Sequence, residues 1–241
     1  MSERINKYLS AHGVCSRREA DRMIQEGRIT VDGRIADMGE MVEDNTIICV
    51  DGRKIDSSTP PQVVIAFNKP VGIVCTTTDK QGKNNIVDYI GYKERIYPVG
   101  RLDKDTEGLL LITNDGDLAH RLLAPKKHVD KVYYADIRGV VTDEHVRQFA
   151  SGLTLSDGTA VMPGELVVLD VDSTAKTSRI RLTIHEGKFH QVKRMFEAVG
   201  TEVTYLKRLS MGPLSLDENL LPGEYRRLTD EEINMLKEAT A

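Results

Sequence analysis

Ser57-Ser58-Thr59-Pro60-Pro61-Gln62 is a stretch that no helix can continue through, because successive prolines lack N–H donors and push the residues before them into extended geometry. Such a segment makes a stiff, extended connector, and it divides the 241 residues into two parts that must each bury their own apolar surface. We therefore expect a first domain over residues 1–58, a linker over 59–62 and a second domain over 63–241.

Within the first part, Ile5, Tyr8 and Leu9 have helical spacing, and Ser16 with Glu19 three residues later forms a capping box that predicts a second helix over 17–26. Gly27 stops that helix, a short strand follows over 28–31, and a second strand over 46–50 runs between the Asp32-Gly33 and Asp51-Gly52 turns. In the second part, short β-branched runs predict strands over 63–67, 72–76, 109–113, 132–137, 166–171 and 180–184. Helices are expected over 117–123, from Thr142 to near Gly152, over 189–199, and after Thr229, whose capping partner is Glu232. Strands and helices do not alternate regularly. The expected fold class is therefore α+β, with a mixed, largely antiparallel sheet and flanking helices.

Apolar residues make up 40% and charged residues 29% of the chain, the balance of an ordinary soluble globular protein, and no apolar run reaches the length of a membrane span. Residues 1–20 lack the apolar core of a signal peptide, so the expected compartment is the cytoplasm, without membrane association. Cys15, Cys49 and Cys75 are scattered and never form C-x-x-C, which points away from a disulfide framework and from a zinc site. A net charge of −4 argues against non-specific coating of nucleic acid, but local basic pairs remain: Arg17 with Arg18, Lys126 with Lys127, Lys193 with Arg194, and Arg226 with Arg227.

The segment from Gly100 to Gly116, with Arg101, Asp103, Asp105 and Glu107 ahead of Leu109-Leu110-Leu111-Ile112, is a charged loop running directly into a buried strand. Its carboxylates are thus carried on a rigid support. On residues alone, Asp103, Asp105 and Glu107 read as catalytic groups, as a metal cluster or as a polar loop. Asp103 and Asp105 are expected to face opposite ways, which weakens a paired-carboxylate hydrolase, and no histidine cluster accompanies them as metal ligands.

Gly100-Arg101-Leu102-Asp103 resembles the signature loop of the RsuA-type family of bacterial ribosomal-RNA pseudouridine synthases. Lys131-Val132-Tyr133 resembles that family's K-x-Y strand motif. The run Glu186-Gly187-Lys188-Phe189-His190-Gln191-Val192-Lys193-Arg194-Met195 is similar to its E-G-[RK]-x-x-Q-[VI]-[KR]-R-M string. Phe67-Asn68-Lys69-Pro70-Val71-Gly72 resembles the N-K-P-x-G entry to its catalytic domain, and is read as structural, a kink set by Pro70 and Gly72. The opening segment, with Arg4 to Leu9, Ser16 to Ala20 and Gly27 to Gly33, is similar to the αL-type RNA-binding module of ribosomal proteins.

The resemblance implies a reaction and roles. Selected uridines of ribosomal RNA, free or in an assembly intermediate, are isomerised to pseudouridine with Asp103 as nucleophile. Tyr133 stacks on the target base and is the candidate for removing the ring proton, while Lys193 pairs with the aspartate. Arg101, Lys131, Lys188, His190, Gln191 and Arg194 would contact RNA around the site, although His190 and Gln191 read equally well as groups that cap a turn. Lys7, Arg17, Arg18 and Arg28 would do so from the first domain, whose bland alternative is a solvated charged edge. No metal or nucleotide cofactor is implied, and the expected working unit is a monomer. A non-catalytic RNA-binding or ribosome-assembly protein is the alternative reading.

Overall fold

The computed structural model describes residues 2–58, 60–76, 85–124 and 127–241; Thr59 of the expected linker and Lys126 of one basic pair lie outside the described residues. The chain divides into two compact units, one formed by Met1–Gln62 with Lys93–Arg95 and Asn114–Gly116, the other by the remainder.

In the first unit, helix Ile5–Ala11 buries Ile5, Tyr8 and Leu9, and helix Arg17–Gln25 buries Ala20, Met23 and Ile24. Ser16 caps the second helix by accepting from the Glu19 amide at 3.1 Å. The expected capping box is only half present: the Glu19 carboxylate turns instead to the Arg22 guanidinium one turn on. A small antiparallel sheet in the order Arg34–Ile35, Ile29–Val31, Ile48–Val50, Arg53–Lys54 packs with the helices through Ile29, Val31 and Ile48. Its hairpins turn at Asp32-Gly33 and Asp51-Gly52, where all four residues have positive φ. Two consecutive positive φ values are what a tight turn between right-twisted strands requires, and Asp-Gly supplies them cheaply.

The second unit is built on a nine-stranded sheet. Its main path runs Glu165–Asp172, Thr177–Ile184, Lys131–Arg138, Glu202–Met211, Glu107–Thr113, Val64–Lys69, Tyr225–Arg227. Glu202–Met211 runs parallel to Glu107–Thr113, while the other named pairings are antiparallel. Along Glu107–Thr113, Leu110 and Ile112 enter one core layer and Leu109 and Leu111 the other. Apolar side chains are thus needed on both faces, which explains why this strand reads as a continuous apolar run rather than an alternation.

Two expectations need correction. Residues 72–76 form no strand: Val74 makes an isolated bridge to Asn85, and the Gly72 amide donates to Lys104 O at 2.7 Å, so this backbone is committed to the loop that carries Asp103. The helix expected over 189–199 begins at Gln191, because Phe189 and His190 belong to the preceding turn. The helices Gly116–Leu123, Asp143–Ser151 and Asp230–Glu238 occur where expected, the last with both halves of its Thr229–Glu232 capping box. Ten-residue Glu202–Met211 and the short helix Ile86–Ile90 were not anticipated. No described helix is long and apolar enough to cross a membrane.

Candidate active site

Asp103 sits on the loop entering Glu107–Thr113, and one buried cation shapes that loop. Lys69 ends strand Val64–Lys69, paired with Gly108, and is wholly buried. Its Nζ donates to Asp103 O at 3.0 Å, Thr106 O at 2.9 Å and Pro70 O at 3.0 Å, with Lys104 O at 3.4 Å. The ammonium therefore gathers the loop's carbonyls as a bound cation would. Burial pushes its pKa down, while Cys75, Asp105, Asp103 and Glu107 act in the opposite direction. On the far side of the loop, Gly108 has φ 101, and a Cβ there would stand 2.2 Å from Arg208 O. Only glycine lets the two parallel strands approach this closely.

The Asp103 carboxylate is 28% exposed. Its Oδ2 lies 3.7 Å from Lys193 Nζ and its Oδ1 lies 3.5 Å from His190 Nε2. Lys193 is closer to Asp105, at 2.6 Å, and this contact is the leading cause that holds the Asp105 carboxyl below its usual range. Asp103 and Asp105 therefore do not face apart: both approach one ammonium, as residues two apart in an extended stretch can. Lys193 reaches them from the first turn of helix Gln191–Ala198, whose Val192, Met195 and Phe196 are buried on the other side.

Tyr133 is 7% exposed on strand Lys131–Arg138 and lines the same open cleft as Asp103, Arg101, His190 and Lys193. Tyr134 points to the opposite face and donates its hydroxyl to Asp136 at 2.7 Å. Thr106 also lines the cleft, and its buried hydroxyl has no hydrogen-bond partner among the described residues.

Gln191 is buried and spoken for by the turn before its helix. Its Oε1 accepts from the Lys188 amide at 2.9 Å and its Nε2 donates to Glu186 at 2.9 Å. Arg194 pairs with Asp157 at 2.5 Å, and Lys188 with Glu186 at 3.0 Å. Lys131, expected to contact RNA, is instead buried and donates to Val129 O at 2.8 Å; it shares a strand face with the buried Tyr133, Ala135 and Ile137. In the first unit Arg17 and Arg18 are exposed and Lys7 lies 3.8 Å from Glu3. Arg28 is engaged by Asp51 at 2.6 Å and Glu26 at 3.2 Å.

Sequence reasoning missed Lys69 and Arg208. Arg208 is 2% exposed and donates through Nε to Leu109 O at 2.7 Å, bracing the strand that leaves the loop. No local signal marked Lys69: a lysine two residues past the end of the apolar run Val63 to Phe67 ordinarily carries its amine out to water.

A carboxylate beside an ammonium, a tyrosine and an imidazole in an open cleft can carry out nucleophilic or acid–base work on a polar substrate. Residues 63–198 match the RNA pseudouridylate synthase family. The chain belongs to that family. Residues 3–48 match the S4 domain, so the order of the two modules is that of RsuA-type pseudouridine synthases. The RNA pseudouridine synthase YtzG of Bacillus subtilis is 42% identical, over 99% of this chain and 100% of its own length. Ribosomal large subunit pseudouridine synthase B of the same organism is 40% identical, over 98% of this chain and 96% of its own. The dual-specificity RNA pseudouridine synthase RluF of Escherichia coli K12 is 37% identical, over 96% of this chain and 77% of its own. Among solved structures, a pseudouridylate synthase superposes with a TM-score of 0.69 at 31% identity, covering 97% of this chain and 99% of that one. The pseudouridine-synthase match thus spans the strands and the helix that carry Asp103, Tyr133 and Lys193.

Proposed function

We propose that this chain isomerises selected uridines of ribosomal RNA to pseudouridine, with Asp103 as the nucleophile. The observation that carries the reading is the position of the Asp103 carboxylate, in a cleft shared with Tyr133 and within 3.7 Å of Lys193. The bond from uracil N1 to ribose C1′ breaks, the base turns while still held, C5 bonds to C1′, the C5 proton leaves and N1 gains one. The rearrangement is internal, so it calls for no redox partner or group donor. A carboxylate can attack or stabilise the fragments as glycosidase carboxylates do. Tyr133, which lines the same cleft, packs on the base and takes the C5 proton. Lys193, held by Asp105, keeps a positive charge beside Asp103 while the sugar or base carries developing charge.

RNA contacts around the cleft fall to Arg101, His190 and the exposed edge of Lys188. Gln191 and Arg194 act on RNA through the turn that they stabilise. The relatives named for ribosomal RNA, together with the S4 module, support ribosomal RNA as the substrate. Residues 1–58 supply part of the binding energy through Arg17, Arg18 and Lys7, residues 59–62 connect, and residues 63–241 hold the chemistry. Deleting 1–58 should raise the apparent KM more than it lowers the single-turnover rate, and flatten the salt dependence of binding. The chain works as a monomer in the cytoplasm.

The test uses 16S and 23S transcripts tritiated at uracil C5. Release of tritium by the wild-type protein is expected from at least one transcript, and pseudouridine mapping of that RNA identifies the uridine. Binding without release from either would favour the non-catalytic alternative.

A further inference from the structure

The chain has four phenylalanines, of which Phe67, Phe149 and Phe196 are fully buried. Phe189 is 70% exposed, more than any other large apolar side chain among the described residues. A single exposed apolar residue needs no explanation by itself. Phe189 differs because it is held in place. Its ring lies flat on His190, with centroids 3.8 Å apart and planes 17° from parallel. His190 has φ 50, a left-handed conformation uncommon outside glycine, and its Nε2 reaches to 3.5 Å from Asp103 Oδ1. The Phe189 carbonyl accepts from Arg194 at 3.3 Å, and Gln191 ties the turn on the other side. The inner ring of the stack lines the cleft that holds Asp103, whereas the outer ring stands beyond its lining.

We infer that the outer face of Phe189 is a stacking platform for the unpaired nucleobase adjacent to the uridine bound at Asp103. The inference rests on the uridine-isomerase reading of the cleft. Drawing one nucleotide out of a stack leaves its neighbour without a partner on one side, an unfavourable state that the enzyme must offset. A flat aromatic ring fixed next to the cleft offsets it, and does so for any base, since every base presents a π-face. The site therefore selects for an unpaired neighbour rather than for a particular sequence. It is separate from Tyr133, which lies inside the cleft.

Absence of tryptophan from the chain allows a direct test in the full-length protein. Phe189→Ala should lower kcat/KM for tritium release from the transcript that wild type modifies by roughly 5- to 100-fold, chiefly through KM, with no fall in melting temperature because the ring is exposed. Phe189→Trp should keep kcat/KM within about threefold, since an indole also stacks. Its emission, arising from the only tryptophan, should be quenched when that transcript binds. Wild-type kcat/KM in Phe189→Ala, or unchanged emission from RNA-saturated Phe189→Trp, would overturn the platform. If wild type releases tritium from neither transcript, it is the proposed function that fails. The platform is then judged by Phe189→Trp with single-stranded oligouridylate, where quenching upholds it and unchanged emission on binding rejects it.

Discussion

Along residues 103–106 the backbone carbonyls converge on one ammonium, Lys69 Nζ, whereas along residues 186–191 the turn is tied by side chains that share their bonds. Glu186 accepts from Gln191, and also from the Met162 amide at 2.8 Å and from Lys188 Nζ at 3.0 Å. Both segments border Asp103, one carrying it and the other carrying His190 and Lys193. The first support centres on one charge sealed from water, with the Gly72 and Thr106 amides beside it; the second is spread over several side chains and partly wet. A group's importance to the site therefore depends less on its distance from Asp103 than on whether anything can replace it.

Removing the charge that both segments surround should have the largest effect. Asp103→Asn keeps size and hydrogen bonding, so RNA affinity should stay within about threefold while tritium release falls by at least about a thousandfold. Turnover near wild type in that variant would take the nucleophile role away from Asp103. Lys69→Met comes next. It strips the ammonium from the Pro70 and Thr106 carbonyls, and from those of Asp103 and Lys104, which keep the Thr106 and Gly72 amides as donors; this should cost about 2–4 kcal/mol in urea unfolding and lower kcat well below the melting transition. A fall in stability with unchanged kcat would show that the loop keeps its shape without the ammonium. Gln191→Leu should cost less, about 1–2 kcal/mol, because Glu186 retains two donors, and activity should drop by about tenfold or less. A larger loss of activity in Gln191→Leu than in Lys69→Met would reverse the comparison.

Much of the frame was legible locally. The Ser16 cap, the Thr229–Glu232 capping box and the apolar run at 109–112 each obey rules that operate within a few residues, and the structure places a helix or strand at each. The cleft was legible through three strings, around Asp103, Tyr133 and Lys193, which the fold brings to one place. Lys69 was not, because its role exists only when carbonyls from residues some 35 positions away arrive around it. Glu202–Met211 was overlooked for a related reason. Lys207 and Arg208 interrupt its apolar pattern, and the strand forms because neighbours on both sides pair with its backbone. Lys131, expected from the resemblance to contact RNA, is buried because it alternates onto the same strand face as Tyr133, Ala135 and Ile137, which packs into the core.

Lys131 gives the smallest expected effect, and it sharpens the contrast with Lys69. Both amines are buried, but among the described residues Lys131 donates to one carbonyl, Val129 O, and it has the Arg208 cation as a neighbour. Burial first, and Arg208 second, push its pKa from 10.5 down to about 8. Below about 8 both folded and unfolded chains hold the proton, and the folded state bears the full cost of a poorly solvated ammonium. Between that value and 10.5 the unfolded chain keeps a proton that the folded chain has released, so stability must rise with pH across this window. Lys131→Met removes this titration and leaves the other titrating groups in place. Tyr205 is one of these, its pKa raised by burial and by its bond to Glu107, and its opposing alkaline contribution cancels in the difference. The stability of wild type relative to Lys131→Met should therefore increase by about 1 kcal/mol between pH ~7 and ~9, measured as urea unfolding free energies of both proteins in matched buffers. Parallel profiles would mean that Lys131 titrates as an exposed lysine does. In that case its amine would be free to reach solvent, and the surface role expected from the K-x-Y motif would return.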